Sequence, residues 1–514
     1  MAESGCAHGR VATFFSIRGT NGYHAPFAWP GTASEHRCNG HDVEQSVIEK
    51  FSTGVEGLDQ LTDGGFLRGS AYIVQGPPGA GKTILANQFC YAHVAAGGRA
   101  LYMTLLAESS SRMLAYVSRM GFFEGSALPD AMQYVSGYGV LEREGLPGLL
   151  KLVQHELKRH RATAMVLDGT FVAQSVASEQ EFRAFIHTLQ GVAGMAGAVL
   201  VMLTHQNRDS SCPEHTMVDG WIEMSDETSG FRAYRTIQVR KHRGAAILPG
   251  KHRFRITQAG IDVFPRAEST MDATILPSAQ AHRAAVGHPD IDGVLHGGLP
   301  AGSATLLVGP TGSGKTTLGM HFLSLSSAQE PGLMLGFYET PAHIRMKARS
   351  VGLDLDAPIE AGTLDIQWLP PAENIVDEII RDVVSRAKAR KVKRVFIDGL
   401  VAIRDSLVIP QRMPYVINAL SMQLAALGAT VLYTSEIPEL QVDQAQLPSD
   451  ELSAMVDNVL LLSTGRRAHA FRRYLSVIKL RDSDFDPRTQ EFHIGGNGIA
   501  FGPDPRVGPA GDAT

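Results

Sequence analysis

Cysteine is scarce in this chain of 514 residues. Its four cysteines, Cys6, Cys38, Cys90 and Cys212, lie far apart and form no Cys-x-x-Cys pair. That excludes a zinc ribbon and a disulfide framework, and it points to a reducing compartment. Long apolar runs are missing too. The longest, Gly191 to Thr204, is interrupted by glycines and is too short to span a bilayer. No charged start followed by an apolar block and a cleavage site opens the sequence. The expectation is a cytoplasmic protein without a membrane partner. A basic surplus is also absent: 47 Lys and Arg face 52 Asp and Glu, and the pI is about 6.4. Proteins that live on nucleic acid usually carry that surplus, because neutralising phosphates supplies most of their non-specific affinity. Nucleic acid is therefore not an expected partner.

What is present is an ordinary globular balance, 44% hydrophobic and 19% charged. At about 100–200 residues per domain, the length suggests two to four domains. The chain also repeats itself. Gly76-Pro77-Pro78-Gly79-Ala80-Gly81-Lys82-Thr83 is answered by Gly309-Pro310-Thr311-Gly312-Ser313-Gly314-Lys315-Thr316. Upstream, Gly54, Asp59, Gly64 and Gly65 match Gly287, Asp292, Gly297 and Gly298 at the same offset. Downstream, Val166–Gly169 matches Phe396–Gly399, and Asp219 and Lys241 match Asp457 and Lys479. Fixed order with a slightly drifting offset means one domain, duplicated, with small loop insertions.

Each copy alternates short apolar runs with helical patterns, the mark of a mainly parallel α/β sheet. Ala71–Gln75 and Thr305–Val308 read as strands entering the glycine loops. Ala164–Leu167 and Val395–Ile397 read as sheet centres covered on both faces. Leu150, Val153 and Leu157, and in the second copy Val376, Ile379 and Val383, fall at helical spacing. Residues 1–46 and 503–514, rich in small and polar residues, read as disordered tails.

The pattern Gly-x-x-x-x-Gly-Lys-Thr between a strand and a helix cradles phosphate. Its glycines let backbone N–H groups turn inward, and the following helix adds its positive end. Lys82 and Lys315 are expected to reach the β- and γ-phosphates of ATP, and Thr83 and Thr316 to place a hydroxyl on Mg²⁺. Asp168 and Asp398, each closing an apolar strand downstream, suit the carboxylate that holds Mg²⁺ through water.

With these motifs assembled, residues 48–502 resemble the KaiC family of RecA-like ATPases. Gly336–Leu355 is similar to the family segment that carries its catalytic glutamates. Both halves also end with Lys-x-Arg on a late strand, Lys241 and Arg243, then Lys479 and Arg481. The resemblance implies two tandem RecA-like P-loop NTPase domains over 47–265 and 287–502, joined by a linker at 266–286. It further implies a double-layered ring of six subunits with ATP held between neighbours. Lys241, Arg243, Lys479 and Arg481 would then touch the phosphates of the adjacent protomer. For an isolated Lys-x-Arg, a solvent-facing pair is the competing reading.

The family carries two adjacent glutamates after the strand that follows the first helix, where a carboxylate can act as general base. Here the second half has Tyr338-Glu339 and the first Leu106-Ala107-Glu108, which reads as one inserted residue. Glu339 is the expected base of the second site and Glu108 that of the first. The family's phosphoacceptor pair corresponds to Ser453-Ala454, so Ser453 alone could accept a phosphoryl group. His205-Gln206 and Ser435-Glu436 occupy the place of a γ-phosphate sensor, where ordinary loop residues fit equally. The basic run Arg386, Lys388, Arg390, Lys391, Lys393 and Arg394 reads as the solvated C-terminal end of a helix. Three functions compete: a KaiC-like ATPase and possible serine/threonine autokinase acting as a switch or timer, a RecA/RadA-type DNA recombination ATPase, and a nucleotide-sensing scaffold with little hydrolysis.

Overall fold

The computed structural model describes residues 49–107, 110–205, 213–271, 282–371, 374–437, 454–467, 470–481 and 483–502. Glu108, Gln206, Ser453 and the two tails lie outside them.

Two nine-stranded sheets carry the fold. The first contains β1 (Ala71–Gln75), β2 (Ala100–Thr104), β3 (Met132–Ser136), β4 (Ala164–Asp168), β5 (Val199–Thr204), β6 (Gly220–Ser229), β7 (Arg232–His242), β8 (His252–Thr257) and β9 (Gly260–Phe264). The second contains β10 (Ala304–Gly309), β11 (Gly332–Gly336), β12 (Leu364–Trp368), β13 (Arg394–Asp398), β14 (Thr430–Glu436), β15 (Asn458–Arg467), β16 (Ala470–Leu480), β17 (Gln490–Gly495) and β18 (Gly498–Phe501). Their spatial orders are β3-β2-β4-β5-β1-β6-β7-β8-β9 and β12-β11-β13-β14-β10-β15-β16-β17-β18. Strand for strand these are the same topology. In each, the strands up to β6 or β15 pair in parallel and the rest form an antiparallel extension. These are two tandem RecA-like domains. Each also opens on a two-stranded ribbon, Lys50–Phe51 with Phe66–Leu67 and Arg283–Ala284 with Leu299–Pro300.

Period-two alternation divides each central strand between two cores. Tyr72 and Val74 face one side of the first sheet with Tyr102, Val166 and Val201. Ala71 and Ile73 face the other with Met103, Met165 and Met202. The second sheet does the same, with Leu306 and Val308 on one side and Leu307 on the other. Burial on both faces explains why Ala164–Leu167 in β4 and Val395–Ile397 in β13 read as unbroken apolar runs.

Two sequence expectations need correction. In the helix Tyr138–His160 the core position belongs to Leu149, which is fully buried beside Val153 and Leu157, whereas Leu150 is only partly covered. The basic run is not solvated throughout. Arg394 opens β13 and is buried at 3% exposure, donating to Glu330 at 2.9 Å and to the Ala285 carbonyl at 2.7 Å. It also lies 4.9 Å from the Phe322 ring centroid. The segment after β9 forms the turn Ala267–Ser269, whose Ala267 packs into the core of the second sheet. Among the described residues no helix is long and apolar enough to cross a membrane.

Candidate functional sites at the two glycine loops

Each loop leaves the end of a central strand and enters a helix, α1 (Lys82–Ala95) or α2 (Lys315–Ser324). Gly81 and Gly314 cap these helices at φ of 99° and 107°. Only glycine takes that left-handed turn at little cost, and it lets the chain reverse while the first-turn N–H groups remain without intrahelical partners. Lys82 Nζ donates to the carbonyls of Gly76 (2.7 Å) and Pro77 (2.9 Å). Lys315 Nζ does the same to Gly309 (2.8 Å) and Pro310 (2.9 Å). Each ammonium is thus folded across its own loop with one N–H left over. Burial pushes both lysine pKa values down. A nearby polyanion would relieve that cost, so the loops fit a nucleotide phosphate chain.

The strand-end carboxylates meet the helix hydroxyls. Thr83 Oγ1 lies 3.3 Å from Asp168 Oδ2, and Thr316 Oγ1 lies 2.9 Å from Asp398 Oδ2. A third group holds each carboxylate, but from opposite neighbours. Tyr102 on β2 donates to Asp168 Oδ2 at 2.7 Å. Thr434 on β14 donates to Asp398 Oδ1 at 2.7 Å. Burial raises both aspartate pKa values, against the pull of these hydroxyls. A divalent cation beside the carboxylate and threonine oxygens would favour the ionised form, so the donor set fits Mg²⁺.

Sheet register aligns the two sites residue by residue. Thr104 stands opposite Asp168, and Gly336 opposite Asp398. Counting on, Leu105, Leu106 and Ala107 correspond to Phe337, Tyr338 and Glu339. The position of Glu339 is therefore Ala107 in the first repeat, one residue before Glu108. On the other flank, Leu203 stands opposite Asp168, so Leu203 corresponds to Thr434 and His205 to Glu436.

Around the second loop lies a cavity of about 530 Å³ lined by Lys315, Thr316, Glu339, Lys347, Asp398 and Glu436. Glu339 sits just before the helix Pro341–Ser350, which returns Lys347 to it at 2.9 Å. One carboxylate oxygen is thereby fixed, while Oε2 is buried without a partner. Glu436 Oε1 accepts from Thr311 of the loop at 3.2 Å. Sequence reasoning missed Lys347, Tyr102 and Thr434; only the fold brings them to these carboxylates.

The Lys-x-Arg residues lie elsewhere. His242 pairs with Gly220, which pairs with Tyr72 near the start of β1. Lys241 is thus at the opposite edge of the sheet from its own loop, as is Lys479 beside Val459 and Leu306. Lys241 Nζ donates to the carbonyls of His215 (3.0 Å) and Thr216 (2.9 Å). Lys479 Nζ donates to Val456 O at 2.7 Å. Arg481 pairs with Asp457 at 3.2 Å, and Arg243 lies 3.9 Å from Asp219. The repeated aspartates also anchor the central strands: Asp219 accepts from the Ala71 N–H (3.0 Å) and Asp457 from the Ala304 N–H (2.9 Å).

A family model of the KaiC ATPase matches residues 51–268 and again 284–506. This chain belongs to the KaiC ATPase family. Among curated proteins it is 24% identical over 474 residues to the circadian clock oscillator protein KaiC 1 of Synechocystis sp. (strain ATCC 27184 / PCC 6803 / Kazusa), covering 90% of each chain. To the circadian clock oscillator protein KaiC of Synechococcus elongatus it is 23% identical over 488 residues, covering 91% of this chain and 92% of that one. To the circadian clock protein KaiC3 of Synechocystis it is 24% identical over 486 residues, covering 90% and 93%. Membership of the KaiC family implies ATP binding and ATPase activity, and the DNA recombination reading is not favoured.

Proposed function

We propose that this KaiC-family ATPase binds Mg²⁺-ATP at both loops and carries out phosphoryl transfer chiefly at the second, as a nucleotide-driven switch for protein partners. The observation that supports this is Glu339. Its Oε2 is buried without a partner at the cavity that also holds Lys315, Thr316 and Asp398. A carboxylate so placed can take a proton from an attacking oxygen within about 3 Å. Lys347 holds the other oxygen and so sets its aim. Mg²⁺, held by Thr316 and Asp398, would supply charge neutralisation at the phosphates. Lys315 gives the phosphate chain its cation, and the loop N–H groups orient it. The first repeat offers the same loop, lysine and aspartate but Ala107 where the second has Glu339. That favours binding there over turnover.

Assembly completes the reading. The Lys-x-Arg residues stand at the sheet edge away from their own loops, so a phosphate they touch belongs to a neighbouring subunit. Lys241, Arg243, Lys479 and Arg481 are therefore assigned to trans contacts in a homo-oligomer, a hexamer in this reading. A cation delivered across the interface stabilises charge on the γ-phosphoryl oxygens. Size-exclusion chromatography with and without Mg²⁺-ATP, with phosphate release followed on the same fractions, tests it. Nucleotide-dependent rings are expected, with Lys315→Ala removing most turnover and Lys82→Ala mainly weakening assembly. A constant monomer, or turnover untouched by Lys315→Ala, overturns the reading. Transfer onto a hydroxyl of the chain is the kinase extension, with Ser453 as acceptor. Mass spectrometry after incubation with Mg²⁺-ATP should find phosphate there, and a bare Ser453 retires that extension.

A further inference from the structure

A second cavity, of about 280 Å³, lies away from both loops where the two repeats meet. The β6–β7 hairpin and β8 bring Arg232, Arg235, Arg253 and Arg255 to it from the first repeat. Residues 374–375 and 406–408 close it from the second. Arg255 is matched, with two hydrogen bonds to Glu378 at 2.8 and 2.6 Å. Arg235 reaches Asp226 at 3.2 Å, yet its Nε is buried without an acceptor. Arg232 spends a donor on the Asp405 carbonyl. The Arg253 side chain makes no hydrogen bond among the described residues: it leans on the Tyr234 ring at 5.1 Å, and its Nε is buried and unpaired. Asp377, a further carboxylate near it, is already engaged by Arg412 at 2.9 Å and by the Ala267 N–H at 3.1 Å.

Four guanidinium groups thus face a shared cavity whose described lining holds one carboxylate, Asp226, while Glu378 is taken by Arg255 and Asp377 by Arg412. Covered guanidinium N–H groups without acceptors are costly, and planar forks of this kind pair best with oxyanions. The cavity is far larger than a single water needs. We propose that it is a binding site for a small dianion, a phosphate or a short dicarboxylate, bridging the two repeats. Its floor is also connected to the second loop. Residues 406–408 directly follow the helix Leu400–Asp405, which begins just after Asp398. A ligand here would tie the first repeat to the element that carries that carboxylate.

The test uses the full chain with both loops first saturated by Mg²⁺ and a non-hydrolysable ATP analogue. Inorganic phosphate and malonate are then titrated separately by calorimetry, with amide exchange followed at 232–235 and 253–255. Saturable binding of at least one anion is expected, with slower exchange at those residues. Tighter binding of one names its class. Arg253→Met keeps the aliphatic stem and removes the fork, and should weaken binding about tenfold or more. Arg235→Met serves as a second variant should the first fail to fold. A Lys82→Ala, Lys315→Ala double variant should bind the anion as before, which separates this site from the loops. No saturable binding of either anion, or binding indifferent to Arg253→Met and Arg235→Met, overturns the proposal. Binding lost in the double lysine variant instead assigns the anion to the loops.

Discussion

Arg412 ties the two repeats together through buried ion pairs, and Arg412→Met tests what they contribute. Its guanidinium donates twice to Glu268, at 2.9 and 2.8 Å, and to Asp377 Oδ1 at 2.9 Å. Glu268 belongs to the turn after β9 in the first repeat, whereas Asp377 opens the helix Val376–Ala389 in the second. The Asp377 side chain is only 1% exposed, and Arg412 and Glu268 are 19% exposed. Removing one partner of such a buried cluster leaves carboxylates uncompensated and costs about 3–5 kcal/mol. Methionine retains most of the stem packing, so the loss reports charge more than volume.

The pH dependence sharpens the test. Burial presses the Glu268 pKa upward, but Arg412 and Arg266 more than offset it and the net shift is down. Its contribution is therefore complete above the unfolded carboxylate value of about 4.3, and is lost as pH falls through the folded value. Asp377 runs the other way. Burial raises its pKa despite Arg412, so its protonated form is the one the fold prefers, and that preference is lost as pH rises through the raised value. Without Arg412 the raise grows. The deficit of Arg412→Met should then be largest near neutrality and shrink on acidification, and Asp377→Asn in the same background should recover roughly half of it. The assay is urea unfolding across that range, with exchange of the Ala267 amide, which donates to Asp377, reporting the junction itself. A deficit constant with pH and unmoved by Asp377→Asn would refute the electrostatic account.

Two further outcomes follow from the same reasoning. Glu339→Gln should slow single-turnover hydrolysis at the second site about 100-fold or more while leaving nucleotide affinity nearly unchanged; equal loss of both would make Glu339 a structural residue. His252 is fully buried, and that burial holds it neutral with its pKa lowered to about 4, against the raising pull of the Leu248 carbonyl at 3.3 Å, while its Nδ1 accepts from the Arg266 N–H at 3.0 Å. Its stability contribution, at most about 3 kcal/mol, should be present above about pH 6.5 and decline toward about pH 4; His252→Gln should flatten that slope, and an unchanged slope would reject it.

Much of this was legible in the sequence because phosphate loops impose strict spacing. Both lysines stand at helix starts and both aspartates at strand ends, where the pattern put them. Duplication made the rest readable by comparison, down to the recurrence of Asp219 and Asp457. The reason for that recurrence was not readable, since a hydrogen bond to the first N–H of a central strand is a tertiary contact. Arg394 misled for a related reason. A basic residue after a basic helix end looks solvated unless one knows that it opens a buried strand beside Glu330. Leu149 and Leu150 both stand at helical spacing from Val153 and Leu157, so periodicity alone does not choose between them.

The differences between the two sites concentrate at one place. The strands that build each sheet keep their order and alternation, yet three positions at or near the C-terminal ends of strands have changed. Ala107 stands where the second repeat has Glu339, Leu203 where it has Thr434, and His205 where it has Glu436. Ala107 and His205 lie outside the cores and could diverge freely, whereas Leu203 is buried in the core of its sheet and replaces the Thr434 hydroxyl with apolar packing. Each change removes an oxygen from the first site: a carboxylate beside the loop, a hydroxyl on the strand-end aspartate, and a carboxylate bonded to the loop threonine. Tyr102 restores only the second of these, from the other flank. The loop and its lysine are present in both repeats, whereas at the position of Glu339 the described first-repeat residue is Ala107. Asp398 also leads directly into the helix Leu400–Asp405, whose far end closes the arginine-lined cavity.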